Sequence, residues 1–355
     1  MLNRLWLGFF LTAAVAALAQ WLVGGNAGVF AAIVGSLFDM AKLSVEVMIL
    51  LFGTLTLWLG FLRIAERAGL VDLLARALGP LFVRLMPEVP RGHPAIGLIT
   101  LNFAANVLGL DNAATPIGLR AMRELQTLNP SADTASNAQI LFLVLNASSL
   151  TLLPVSIFMY RAQQGAHDPT LVFVPILLAT SASTLVGLLS VAFVQKLRLR
   201  DPLLLVFLLA VATILSAFIA LLLQVPASAL APLSSLLGNL TLFAIVLGFL
   251  VAGAWRKVPV YESFVDALPT ALVKPFSGSA ARALLIETMK AHGTDSFAAL
   301  LAATVQGSTE TTFYVLAVYF GSVGIQRARH AVGCALLADC AGVCAAVAVC
   351  YWFFG

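Results

Sequence analysis

The chain has 355 residues, of which 61% are hydrophobic and only 10% charged, well below the roughly 25% charged share of an ordinary soluble domain. That composition excludes a water-soluble globular domain and makes a bilayer the natural solvent. A net charge of +4 does not point to nucleic acid, because the basic residues gather in connectors such as Lys196-Leu197-Arg198-Leu199-Arg200 and Trp255-Arg256-Lys257, where they read as topology signals.

Apolar runs close to the ~20 residues that span the hydrocarbon fall at 5–23, 45–62, 140–158, 171–194, 203–223, 236–254, 313–324 with its preceding turns, and 331–354. They predict about eight crossings. The first begins after Arg4 and passes Ala17-Leu18-Ala19, like a signal peptide, but its apolar character continues through Trp21-Leu22-Val23 and predicts a retained helix. With Arg4 inside, an amphipathic stretch at 29–42 lies outside and the crossing at 45–62 returns inward. It delivers Arg63, Arg67, Arg76, Arg84 and Arg91 to the cytoplasmic side. There Ile64, Leu70, Leu73, Leu74, Ala77, Leu78, Leu81 and Phe82 recur at helical spacing as an interfacial helix that ends at Pro87, Pro90 and Pro94.

The next segment, 95–122, is apolar but interrupted by Asn102, Asn106, Gly109, Asp111, Asn112, Thr115 and Pro116. Such a sequence suits no lipid-facing helix and predicts a re-entrant hairpin, since irregular backbone at membrane depth survives only where protein or a watery cavity surrounds it. The crossing at 140–158 reads as unbroken.

Two stretches resemble each other in order. Asn112-Ala113-Ala114, Met122 and Asn146-Ala147-Ser148-Ser149-Leu150-Thr151 are matched by Ser279-Ala280-Ala281, Met289 and Gln306-Gly307-Ser308-Thr309-Glu310-Thr311. The expected fold is an all-α polytopic membrane protein of two inverted-repeat-like halves, 1–200 and 201–355, with re-entrant or broken helices. The second half is short. Asp39 precedes Asn112 by 73 residues, whereas Asp266 precedes Ser279 by 13, a deficit of 60 that suggests a natural or engineered deletion. Counted from Lys257 without an added crossing, Arg327, Arg329 and His330 fall outside, against the charge rule.

Four segments carry a family resemblance: Asn102 to Pro116 as NFAANVLGLDNAATP, Asn146 to Pro154 as NASSLTLLP, Ser277-Gly278-Ser279, and Gln306 to Gly324 as QGSTETTFYVLAVYFGSVG. They resemble the spore maturation proteins A and B joined in one chain, the first over 1–200 and the second over 201–355. That family is similar to the nucleoside-recognition, or gate, domain group, which resemblance connects to concentrative nucleoside transporters and to the membrane part of ferrous-iron transporter B. The resemblance implies transport, and the short second half departs from it.

A polar side chain in hydrocarbon without a partner costs several kcal/mol, so the polar residues of these segments must face one another or a ligand. Asn102, Asn106, Asp111, Asn112 and Thr115 read either as a hydrogen-bonding wall for a solute or as caps of the two hairpin arms. Asn146, Ser148, Ser149 and Thr151 in the first half, with Gln306, Ser308, Thr309, Glu310 and Thr311 in the second, suggest a site near the midplane; for the Ser and Thr positions helix packing and back-bonding weigh as much. Glu310 and Asp339 are carboxylates deep in apolar sequence, with Lys274 and Arg282 as candidate ion-pair partners, and function is favoured for Glu310 but not for Asp339. Ser277, Gly278 and Ser279 precede a helical run and are weak candidates for an anion at a helix start.

Cys334, Cys340, Cys344 and Cys350 lie in the last apolar run without metal-ligand spacing and read as packing residues, and His93, His167, His292 and His330 are scattered. No nucleophile, metal or phosphate-loop motif appears, so no cofactor, metal or catalytic residue is expected. The expected function is a multi-pass protein of the bacterial inner membrane that transports or gates a small polar solute, with membrane lipids, a coupling proton or cation and a second copy of the chain as partners. Its rivals are a scaffold recruiting partners through the interfacial helix and a membrane-embedded enzyme using Asp111 and Glu310 as acid and base.

Overall fold

A computed structural model describes residues 2–108, 111–148, 150–197, 201–266 and 280–355. The described residues form α1 (Leu2–Gly24), α2 (Gly28–Arg67), α3 (Leu70–Leu85), α4 (Pro94–Val107), α5 (Asp111–Thr127), α6 (Asn137–Ser148), α7 (Val155–Gln163), α8 (Phe173–Gln195), α9 (Pro202–Leu222), α10 (Ala227–Trp255), α11 (Val260–Val265), α12 (Ala280–His292), α13 (Phe297–Ser308), α14 (Thr312–Gly321) and α15 (Ala331–Phe354). A single bridge between Thr134 and Arg327 is the extent of β pairing among these residues. The chain is an all-α membrane protein: among the described residues four helices, three of them α9, α10 and α15 and the fourth α8 with its preceding turn, are long and apolar enough to cross a bilayer.

Two compact units divide the chain, residues 1–53 and 54–355. In the first, α1 and the start of α2 meet at a turn where Gly25 takes φ +63°, and Trp21 packs edge-on against Phe30 with ring centroids 5.7 Å apart. Val15, Leu22, Val34 and Phe38 are exposed here, as expected of helices solvated by lipid. The separate amphipathic stretch and crossing expected over 29–62 are instead one unbroken 40-residue helix, α2, because no proline or turn residue interrupts the apolar sequence between them.

The second unit holds the remaining helices. Its α3 buries Val71, Leu81, Phe82 and Leu85 and packs on α4, where Phe82 and Phe103 are 5.4 Å apart, while Leu73 stays exposed. This one-sided burial is that of a helix lying across others. Helices α4 and α5 pack together as the expected hairpin. His93 starts it by accepting the Ala95 N–H on Nδ1 at 3.2 Å, with Pro94 in the first helical turn, where its missing N–H costs nothing.

The crossing expected to be continuous over 140–158 is broken. Helix α6 stops at Ser148 and α7 starts at Val155, with Pro154 as N-cap. Proline cannot continue a helix through its own turn, and the freed backbone groups find partners outside it. Leu152 N–H donates to Val107 O at 3.2 Å, and Thr151 N–H to Thr180 Oγ1 at 3.4 Å. The matching stretch is broken too, between Ser308 of α13 and Thr312 of α14, with Thr309 extended at φ −146°, ψ 156°.

Helices α8 and α15 run antiparallel at close range. A Cβ on Gly187 would fall 3.1 Å from the Ala338 methyl, and one on Gly342 3.1 Å from Ser183 Cβ. Both α6 and α13 pack against this pair, so the two halves exchange equivalent contacts. The 23 residues of α8 extend about 34 Å, and its ends mark two faces of the unit. At one face Gln195 donates to Asn137 O and lies 3.1 Å from His330 Nε2, Asn137 donates to Glu88, and Arg329 donates to Ala135 O. At the other, Arg161 of α7 and His167 meet Asp295, just before α13. Thus α6 enters from the first face and α13 from the second, and these two helices run in opposite directions.

This arrangement corrects the topology count. Arg327, Arg329 and His330 lie at the same end of α8 as Gln195 and Lys196 with no added crossing. Helix α12 leads to the second face, where α13 begins beside Arg161.

Candidate functional site

The two helix breaks meet. Glu310 N–H, from the break of the second half, donates to Ala147 O in the last turn of α6 at 2.8 Å. A backbone bond between two interrupted helices satisfies one orphan carbonyl of α6 with one orphan N–H before α14, which is how irregular backbone becomes tolerable at this depth.

Beside the crossing lies a cluster of amides. Asn102 of α4, fully buried, spans its hairpin by donating to Ala114 O of α5 at 2.7 Å. Asn106, one turn on, donates to Asn146 Oδ1 of α6 at 3.0 Å and lies 3.4 Å from Asn102 Oδ1. Asn146 in turn donates to Phe142 O at 2.8 Å. The fourth member comes from the other half: Tyr319 of α14 donates its hydroxyl to Asn146 Oδ1 at 3.3 Å, and its ring packs on Phe142 at 5.5 Å. Gly118 of α5 makes room for it, since a Cβ there would sit 2.5 Å from the Tyr319 oxygen.

Sequence reasoning missed Tyr319. Its one signal was a hydroxyl-bearing ring within an apolar helix, an amphipathic group that usually finds a polar partner when buried.

The other expected residues divide. Ser148 and Ser308 are buried and turn their hydroxyls back to Leu145 O and Val305 O, at 3.4 Å and 2.8 Å, so both follow the back-bonding alternative. Thr151 lies within the first break, Thr309 and Thr311 within the second, and Thr115 is half-buried on α5. Gln306 is half-buried in the last turn of α13 and is not hydrogen-bonded to the asparagines. Asp111 and Asn112 open α5. Ser149, Ser277, Gly278, Ser279 and Lys274 lie outside the described residues.

A cavity of about 660 Å³ opens at the second face, lined by His167, Asp168, Asn239 and Asp295 among others, away from the asparagines. Arg161 beside it is fully buried, and donates to Pro169 O, Asp168 O and Thr294 O as well as to Asp295 Oδ1 at 2.9 Å. Burial lowers the guanidinium pKa, and the Asp295 charge opposes that shift. The cysteines divide into buried Cys334 and Cys350 and exposed Cys340 and Cys344.

Residues 48–163 match the family described as Gate, nucleoside recognition, a stretch that contains the α4–α5 hairpin, Asn146 and the first helix break. The chain is similar to spore maturation protein A of Bacillus subtilis (strain 168), 38% identical over 148 residues that cover 42% of this chain and 76% of that protein. It is also similar to spore maturation protein B of the same organism, 32% identical over 162 residues that cover 31% of this chain and 91% of that protein. No solved structure matches the chain.

Proposed function

This chain belongs to the spore maturation protein A and B family, and from that premise we propose that it moves, or gates the movement of, a small polar solute across the bacterial inner membrane. One observation carries the reading: two interrupted helices that run in opposite directions cross at a backbone bond, Glu310 N–H to Ala147 O, beside a buried amide and phenol cluster fed by both halves. Discontinuous helices that meet at the interface of inverted repeats are the usual ground plan of a secondary transporter. Rocking one half against the other would separate Tyr319 from Asn146 and open the cluster to one side.

The chemistry favours a solute that both donates and accepts hydrogen bonds, since amides and a phenol offer both and carry no charge. Nucleosides, named in the family description, come first among candidates. The face holding Arg84, Lys196, Arg327 and Arg329 is the cytoplasmic one under the positive-inside rule.

A deletion in the second half is part of the proposal. The 162 aligned positions of spore maturation protein B occupy 31% of this 355-residue chain, about 110 residues, so on the order of fifty have no counterpart here.

Uptake into proteoliposomes tests the reading, with nucleosides, amino acids, divalent metals and small dicarboxylates screened on this chain and on one lengthened by about 60 residues after Asp266. Uptake that Asn146→Ala and Glu310→Gln abolish supports it. If neither chain moves any solute in vesicles that a control transporter fills, transport is refuted in favour of a scaffold.

A further inference from the structure

Among the described residues, five buried side-chain atoms lack a hydrogen-bond partner, and three of them are Ser183 Oγ of α8, Thr312 Oγ1 of α14 and Asp339 Oδ1 of α15. Ser183 is 0% and Thr312 2% exposed. Unpaired oxygens at such depth are costly, and chance does not readily leave three on helices that share one junction.

The junction can be located. The Thr312 hydroxyl faces the Asp339 carboxylate closely enough to act on it as a weak donor, but not in full hydrogen-bond geometry, so each oxygen keeps coordinating capacity. Gly342 lies three residues beyond Asp339, so its Cβ position is on the same face of α15 and ~5–6 Å from that of Asp339. A Cβ on Gly342 would meet Ser183 Oγ at 3.3 Å and the Thr309 methyl at 2.6 Å. Ser183, Thr309, Thr312 and Asp339 therefore gather around the second helix break. Asp339 is the ninth of the 24 residues of α15, about 12 Å along the helix and well inside the apolar layer.

We infer that Ser183, Thr312 and Asp339 form the binding site of a dehydrated monovalent cation of sodium size. The donors are all oxygen, which selects a hard cation over a soft transition metal. One carboxylate balances one positive charge, whereas a divalent ion would leave an uncompensated charge in hydrocarbon. The last carbonyls of α13 end at the same break and supply the partial negative charge that completes such a shell. The site stands apart from the asparagine cluster, so it holds or fails whatever the fate of the solute-transport reading.

Binding is measured on the full chain in detergent. Equilibrium binding of radioactive sodium is run beside thermal unfolding, followed by tryptophan fluorescence, in sodium, potassium and choline chlorides at constant ionic strength. The expected result is saturable sodium binding near one ion per chain, with a sodium-specific rise in the unfolding midpoint. Losing the charged ligand in Asp339→Asn should weaken the apparent affinity at least about tenfold, and Thr312→Val and Ser183→Ala should each weaken it by less. If Asp339→Asn does not fold, the two hydroxyl variants still give the reading. Equal midpoints in sodium and choline, or a response to pH with none to sodium, would overturn the inference and leave Asp339 as a carboxylate held at the start of α14.

Discussion

Removing the hydroxyl that ties the halves together should weaken the protein by an amount that depends on Asn146. Tyr319→Phe keeps the ring contact with Phe142 and deletes one bond of 3.3 Å. Side-chain hydrogen bonds inside membrane proteins average ~0.6 kcal/mol and reach ~1.7, so this long one should cost about 0.5 to 1 kcal/mol. Asn146→Ala removes the acceptor of both Asn106 and Tyr319 and the donor to Phe142 O, and leaves a small void, for about 2 to 4 kcal/mol. Once Asn146 is alanine the Tyr319 hydroxyl keeps only its contact with Asn102, so the second substitution should cost less than it does alone. The double-mutant cycle should show a coupling of about 0.5 kcal/mol or more. Reversible unfolding in mixed micelles measures it, with Tyr314→Phe, on an exposed ring, as the silent control. Strict additivity of the two substitutions would refute the hydrogen bond as a link between halves.

Three further outcomes follow from the packing and the polar faces. Gly342→Ala drives a methyl to within 2.6 Å of Thr309 Cγ2 and should destabilise by about 1 to 3 kcal/mol, whereas Gly333→Ala, with open space around it, should be neutral or slightly stabilising; thermal unfolding of both separates the effects. Arg161→Leu strips the donor from three carbonyls and should cost about 3 kcal/mol or more, while Asp295→Asn keeps an acceptor on a carboxylate position that is 44% exposed and should cost about 1 kcal/mol or less. Burial, then the neighbouring Arg329, lowers the His330 pKa below its usual 6.5. Gln195 Nε2 is already committed to donate to Asn137 O, so the facing His330 nitrogen must accept, which only the neutral ring can do. The unfolded chain then binds more protons between the lowered value and 6.5, stability rises with pH through that window, and His330→Gln should remove that increment from a pH series of unfolding midpoints.

The class of protein and the places where its helices fail were legible because hydrocarbon is an unforgiving solvent. Asn102, Asn106 and Asn146 stand out in apolar sequence since an unpaired amide there is expensive, and the structure pairs them with one another and with the backbone. The order of repeated motifs likewise marked the stretch from Thr309 to Thr311 as special. The break at 150–154 was missed because the surrounding residues are apolar enough to outweigh Pro154 and read as one crossing, and the bonds to Val107 and Thr180 that satisfy its freed backbone are visible only in the tertiary structure.

Composition and pattern alone thus determined that the chain is helical and embedded in a membrane, because those properties are set residue by residue through transfer from water to hydrocarbon. Only the tertiary structure decided that Tyr319 reaches Asn146, that Arg327 to His330 lie with Gln195, and that Ser183, Thr312 and Asp339 surround one junction. Each of these depends on how antiparallel α8 and α15 approach through Gly187 and Gly342, with α6 and α13 packed on both. A contact such as Tyr319 to Asn146, 173 positions apart, leaves no trace in local periodicity, since it is fixed by the packing of whole helices.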